Sequence, residues 1–235
     1  MKRIIVVGGS SGMGKSIAIK YAETNNQVCI TGRRFELLNQ IKQDHPKIET
    51  SCFDITEPGL VSHFETIING LGGLDILILS AGGGEINKEY DLDKEEKMIE
   101  LNVNVFVKVT HWAFSFFIKQ GHGQLAVISS VAAHRGNAVS PSYSASKAFQ
   151  STYLEGLAVK AHRSSKPVFV TTIEPGFVAT KKHNGKVFWL VPVEKAADQI
   201  ISAIENKRRK VYVSKRWGLI VWFLKRIPFN MYRRI

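Results

Sequence analysis

Short β-branched runs alternate along this chain with longer amphipathic stretches, and that alternation restricts the fold more than any other feature. Strands are predicted over 3–7, 27–31, 48–53, 74–80, 123–129 and 168–174, with helical windows over 12–24, 35–43, 58–71, 92–119 and 141–163. Near-continuous apolar strands separated by helices imply a parallel sheet buried on both faces and wound right-handed. The fold class is therefore α/β: one doubly wound parallel sheet with helices on both faces. A further helix over 193–206 and a strand over 210–213 complete a domain spanning 1–213. Residues 214–235 form a basic, aromatic-rich extension, and no repeat or interdomain linker interrupts the chain.

Composition narrows the class. With 235 residues, 44% hydrophobic and 22% charged, the chain is long enough for one sizeable core, and disorder, collagen and coiled coil are excluded. Lys and Arg number 32 against 20 Asp and Glu, a net charge of +12. The excess is local: residues 207–235 hold ten basic residues and no acid, leaving the body near neutral. Cys29 and Cys52 lie in apolar strand-like runs and are expected to be reduced core thiols, which suits a cytoplasmic setting. The four-residue apolar run after Arg3 is too short for a signal peptide, and the eight residues 217–224 make only about 12 Å of helix. Neither is expected to cross a membrane.

Ligands of doubly wound sheets bind beyond the carboxyl ends of the strands. After the first strand comes Gly8-Gly9-Ser10-Ser11-Gly12-Met13-Gly14. Gly8 suits a tight turn, Gly12 the close approach of a pyrophosphate, and Gly14 the packing of a helix whose N-terminus faces the phosphates. The second strand ends in Thr31-Gly32-Arg33-Arg34, with two guanidinium groups where NAD-binding sheets carry an acid. Together with Lys15 they favour a 2′-phosphate, hence NADP (NADPH) as cofactor; the alternative is a solvated first helical turn. Asp54, closing the third strand, reads equally as an acceptor for the adenine amino group or as a cap before Thr56.

Ser130 stands after the fifth strand, thirteen residues before Tyr143, and Tyr143 and Lys147 fall at i and i+4 of the helix that Pro141 begins. Both project from one helix face, where an ammonium stabilises the phenolate and lowers the phenol's pKa. Hydride transfer between a nicotinamide and a carbonyl or carbinol carbon, with Tyr143 moving the proton and Ser130 steadying the charge, is the chemistry these groups suit.

Taken in order, the Gly8/Gly12/Gly14 turn, Asp54, Ala81-Gly82, Asn102, Ser130, Tyr143, Lys147 and Pro175-Gly176 with Thr180 resemble the short-chain dehydrogenase/reductase family over residues 2–213. The resemblance implies a Rossmann fold and a homodimer. It makes Tyr143 the general acid-base, Lys147 the ligand of the nicotinamide ribose, Ser130 the holder of the substrate oxygen and Asn102 the anchor of a relay water. The catalytic set is then Ser130, Tyr143, Lys147 and Asn102. The cofactor set is Gly8, Ser10, Ser11, Gly12, Met13, Gly14, Arg33, Arg34, Asp54, Ile55, Ser80, Ala81, Gly82, Tyr143, Lys147, Pro175, Gly176, Val178 and Thr180, with Val178 and Thr180 on the carboxamide. No metal is expected. Val7 and Leu79-Ser80 depart from the family's usual Thr and Asn-Asn, at positions that brace the sheet and the adenosine side.

Only eleven residues separate Thr180 from Pro192, a short lid. Phe188, Trp189 and Leu190 with Ala132, Ala133 and Val139 give an apolar pocket wall, so a small, apolar alcohol or carbonyl compound is the expected substrate. His134-Arg135 reads either as a polar contact for it or as plain loop. For the tail, an interfacial membrane contact through 215–234 competes with packing over the pocket or a partner subunit; nucleic acid is not expected as a partner. An NADP-dependent oxidoreductase is the main reading. A dinucleotide-binding sensor or scaffold with little turnover is the alternative.

Overall fold

In the computed structural model of the chain, which describes residues 1–180 and 189–234, seven strands form one all-parallel sheet in the order β3-β2-β1-β4-β5-β6-β7. These are β1 (Arg3–Val7), β2 (Gln27–Gly32), β3 (Ile48–Cys52), β4 (Ile76–Leu79), β5 (Gly123–Ile128), β6 (Val168–Pro175) and β7 (Lys210–Val213). Strand order reverses between β1 and β4, which opens a crevice at their carboxyl ends.

The period-two geometry of a strand assigns alternate side chains to opposite layers. Ile4 and Val6 of β1 pack with α1 (Gly12–Glu23), α2 (Phe35–Asp44) and α7 (Val193–Glu205). Ile5 and Val7 face α3 (Leu60–Leu71), α5 (Phe106–Gln120) and α6 (Pro141–Arg163). Val7 and Leu79, two of the departures from the family pattern, are buried in that second layer.

The window predicted as one helix over 92–119 divides into α4 (Leu92–Ile99), a π-helical turn (Glu100–Val105) and α5. By length and apolar composition Leu92–Gln120 is the one run among the described residues able to cross a membrane. Its Val105, Phe106, Val109 and Phe117 are instead buried in the second layer. β4 is shorter than predicted; at its start Asp75 donates its N–H to the Arg3 carbonyl and takes a bidentate ion pair from the Arg3 guanidinium (2.9 Å on both contacts). Cys29 is buried as expected, but Cys52 is exposed. It ends β3, the sheet's edge, where the apolar run is covered on one side only.

The extension folds back as α8 (Trp217–Arg226) and a single turn, α9 (Phe229–Tyr232). Trp217 seats on Gly176, where a Cβ would meet the indole at 2.0 Å, and its ring meets Phe177 edge-on at 5.5 Å. The extension thus packs on the segment that follows β6.

Candidate active site

At the switch point backbone meets backbone. Gly8 has φ +83°, and a Cβ there would lie 2.6 Å from the Ala81 amide; one on Gly14 would lie 2.4 Å from the Gly8 carbonyl oxygen and 3.0 Å from Ser80 Oγ. Ser80 and Ala81 both donate their N–H groups to the Val7 carbonyl at 2.8 Å. Side chains are excluded because the β1–α1 loop and the end of β4 occupy the same few ångströms. Gly12 faces Thr180; Met13 and Ile55 pack at the margins of the two cores. No side chain caps the start of α1, and its first turn holds no acid, so its leading N–H groups stay available to an anion.

Arg34 folds over this loop, donating from one guanidinium nitrogen to Ser10 Oγ (2.9 Å) and Ser11 Oγ (2.8 Å). Arg33 is exposed, 3.6 Å from Asp54. Lys15, expected at the same corner, lines the groove between α1 and α7 with Gly12, Thr180 and Glu194. For Asp54 the capping role is realised: its Oδ1 accepts from the Thr56 amide (2.9 Å) and hydroxyl (2.8 Å). These bonds, against a smaller opposing effect of burial, and the nearby Arg33 hold its carboxyl below the ordinary range.

The catalytic side is a clamp of three elements. Asn102, fully buried in the π turn, accepts from Gly83 N–H (3.0 Å) and donates to Gly83 O (2.9 Å) and Ser146 Oγ (3.1 Å). It thereby fixes the loop after β4 against α6. Gly82 is small because a Cβ would stand 3.3 Å from Asn102 Oδ1 and 3.4 Å from Lys147 Nζ, and a Cβ on Gly84 would touch the Tyr143 ring at 3.1 Å. The first turn of α6 is held by Glu95 of α4, whose carboxylate accepts from the Ser142 amide (3.2 Å), a negative charge at a helix start.

Ser130 Oγ accepts from the Ala132 amide (3.1 Å), capping a short 3₁₀ turn, Val131–His134, and its side chain stands beside the Tyr143 phenol. Burial raises the Tyr143 phenol above its ordinary value, with the Ser130 bond pulling the other way. That reverses the sequence expectation of a lowered phenol. Lys147 is buried beside it, with Nζ 5.8 Å from the phenol ring centroid, and burial brings the ammonium down to about 8. It is held by neutral groups, Gln150 Oε1 (3.0 Å) and the Ile128 carbonyl (3.3 Å). Gln150 Nε2 in turn donates to the Asn102 carbonyl (2.8 Å), so an amide side chain bridges Asn102 and Lys147. Gln150 was missed because a glutamine seven residues after the tyrosine follows no catalytic spacing. Its position on the Lys147 face (i+3) was the available signal.

Beyond β6, Gly176 donates to the Val213 carbonyl (2.7 Å), and Phe177, Val178 and Ala179 pair with Val191. Of the lid over 181–191, residues 181–188, Phe188 among them, lie outside the described residues. His134 turns to a carboxylate. Its Nε2 bonds Glu174 Oε2 at 2.6 Å, and Glu174 Oε1 accepts from Lys210 Nζ (2.6 Å) and Ser151 Oγ (2.9 Å). Glu174 is fully buried in β6, just before Pro175, so one carboxylate ties β6 and β7 to α6 and to the turn that Ser130 caps. A lone acid in the apolar run VFVTTIEP was the sequence signal.

This arrangement agrees with what the chain resembles. The short chain dehydrogenase family model matches residues 2–189, and the chain belongs to that family. A Dictyostelium discoideum protein described as a dehydrogenase/reductase SDR family protein 7-like is 29% identical over 78% of this chain, which spans 61% of that relative's length. An uncharacterized oxidoreductase of Staphylococcus aureus is 33% identical over 76% of this chain and 79% of its own. One of Mycobacterium tuberculosis is 27% identical over 99% and 96%. A short-chain dehydrogenase structure from Streptomyces avermitilis superposes with a TM-score of 0.81 at 23% identity, covering 93% of this chain and 92% of that one, and shows the same fold. The family uses a nicotinamide dinucleotide. The residues present fit one: a loop where no Cβ has room, uncapped helix N–H groups and a guanidinium across two serine hydroxyls.

Burial works to raise the Glu174 carboxyl, but its bonds to His134 and Lys210 outweigh it and hold it below its ordinary value. A carboxyl lowered by folding stabilises fully above its unfolded value, near 4.3, and loses that stabilisation as pH falls through the lower folded value. Glu174→Gln should therefore cost about 3 kcal/mol at pH 7, read from thermal melts. The gap from wild type should narrow as pH falls from 5 towards 3; an equal melting temperature at pH 7 would remove Glu174 from this bracing role.

Proposed function

We propose that the chain is an NADP(H)-dependent oxidoreductase, working chiefly as a reductase of small apolar carbonyl compounds, with Tyr143 as general acid-base. The observation that carries this reading is the placement of Tyr143 and the buried ammonium of Lys147 on one face of α6, Nζ 5.8 Å from the phenol ring centroid, with Ser130 beside the phenol. When bound, the nicotinamide supplies the hydride. The phenol of Tyr143 gives its proton to the oxygen that gains charge, and the Ser130 hydroxyl, oriented by the Ala132 amide, donates a second hydrogen bond to it. Lys147 stabilises the phenolate left behind, while Asn102 and Gln150 hold the ammonium and the glycine loop in register.

Arg34 supports the choice of NADP, since a guanidinium fork above Ser10 and Ser11 suits a phosphate, and β2 ends without an acid. Two free thiols and a cofactor that cells hold reduced suit a cytoplasmic setting. For the homodimer, α5 and α6 bring Trp112 and Phe116, and Phe149 and Tyr153, to the surface as stacked ring pairs.

Tyr143→Phe should lower carbonyl reduction at least about 100-fold while NADPH affinity, followed by fluorescence titration, stays within about threefold. Undiminished turnover would refute the assignment, and a wild type with no turnover on any apolar ketone or aldehyde would favour the sensor. In the same titration Arg34→Ala should weaken NADPH about tenfold or more and leave NADH unchanged. Equal wild-type constants for the two dinucleotides would contradict the NADP preference.

A further inference from the structure

Helix α8 is apolar on both faces. Trp217, Ile220, Val221 and Leu224 turn toward the body, with Trp217 and Val221 buried. Leu219, Trp222 and Phe223, one i, i+3, i+4 set, turn outward. With Phe229 and Met231 of α9 they range from 47% exposed (Trp222) to 71% (Phe229). A helix that packs one face in a water-soluble chain ordinarily carries polar residues on the other, and contiguous large apolar side chains mark a contact surface.

The occupant is constrained by charge. Lys215, Arg216, Lys225, Arg226, Arg233 and Arg234 surround this face, all exposed, and residues 207–235 contain no acid. A two-fold contact with a second copy would set one basic tail against another with nothing to pair them. Nucleic acid would meet the cations but leave the aliphatic and aromatic face in water. An anionic phospholipid surface satisfies both, taking Leu, Phe and Trp at headgroup depth and the cations on its phosphates. Arg226 lies 3.9 Å over the Trp222 ring, a cation stacked on an aromatic at the rim of the patch.

We infer that α8 and α9 dock this protein on anionic membranes in a fixed orientation. The orientation follows from the way the unit is tied to the body. Arg135 donates to the Ile227 carbonyl (2.9 Å) and stacks on Tyr232 (4.3 Å), and the Tyr232 hydroxyl donates to the Gly136 carbonyl (2.6 Å). Residues 135 and 136 follow the turn that Ser130 caps, and Trp217 seats on Gly176 just beyond the end of β6. The lipid-facing surface is thus carried by the elements that border the catalytic serine. Substrate drawn from the bilayer would be a consequence that rests on the oxidoreductase reading above; docking itself does not depend on it.

Flotation of the full chain with phosphatidylcholine vesicles, with and without 30% phosphatidylglycerol, tests the docking. Binding should be at least tenfold stronger to the anionic vesicles and should weaken severalfold at 0.5 M salt. It should fall at least tenfold in the triple variant Leu219→Ser, Trp222→Ser, Phe223→Ser, which leaves the inward face intact and should keep wild-type thermal stability and dinucleotide binding. Absence of the wild type from the anionic float would overturn the proposal. So would equal flotation of a folded triple variant, or a dimer in sedimentation velocity that this variant abolishes. If the triple variant fails to fold, Trp222→Ser alone is the test, with at least a threefold loss expected and no loss contradicting. Tight binding of a single-stranded oligonucleotide by a chain that ignores the vesicles would assign the tail to nucleic acid instead.

Discussion

A buried ammonium without a counter-ion governs the Tyr143–Lys147 half of this molecule. Lys147 makes no ion pair among the described residues; only the Gln150 amide and the Ile128 carbonyl bond its Nζ. Such a cation is costly in a dry site, so the surroundings must satisfy it with rigid dipoles. The π turn supplies that rigidity. Asn102 holds the Gly83 loop with its side chain and, with its carbonyl, the Gln150 amide that meets Lys147. A π turn breaks the regular ladder of a helix and frees groups for this kind of contact. What the cation lacks in negative charge, an ionised phenol at Tyr143 can provide, which is the state acid-base chemistry passes through.

The cofactor half depends on a different constraint, the absence of space. Gly8, Gly14 and Ala81 bring the β1–α1 loop and the end of β4 into direct contact, which keeps the N-terminus of α1 at the switch point. Arg34 closes the outer edge over Ser10 and Ser11. The two halves meet at Gly82, between Asn102 and Lys147. On the far side, Glu174 and the seat of Trp217 on Gly176 tie β6, β7 and α8 to the Ser130 turn.

Features carried by local pattern were legible in the sequence. The alternation of elements, the glycine turn and the Tyr143–Lys147 spacing depend on chemistry only a few residues apart, and each appears where the pattern places it. What escaped depends on pairs far apart in the chain. The π turn reads as ordinary helix because the partners of its Asn102, Gly83 and Gln150, lie elsewhere in the chain. Glu95 on the Ser142 amide and His134 on Glu174 span 47 and 40 residues. Cys52 was misjudged because apolar neighbours say nothing about whether a strand lies at the edge of a sheet. The sign of the Tyr143 shift could not be read either, since burial of the phenol decides it. The tail gave its charge and its aromatics, but not the division of α8 into one face on the body and one left open.

Lys147 offers the most direct measurement. In protein carrying ¹⁵N-labelled lysine, the Nζ signal that disappears in Lys147→Met can be followed across pH. A midpoint near 8 is predicted from burial among neutral partners. A midpoint at the ordinary lysine value, about 10.4, would contradict the account, because it would mean that the ammonium is solvated or paired with a carboxylate and not held for the phenol.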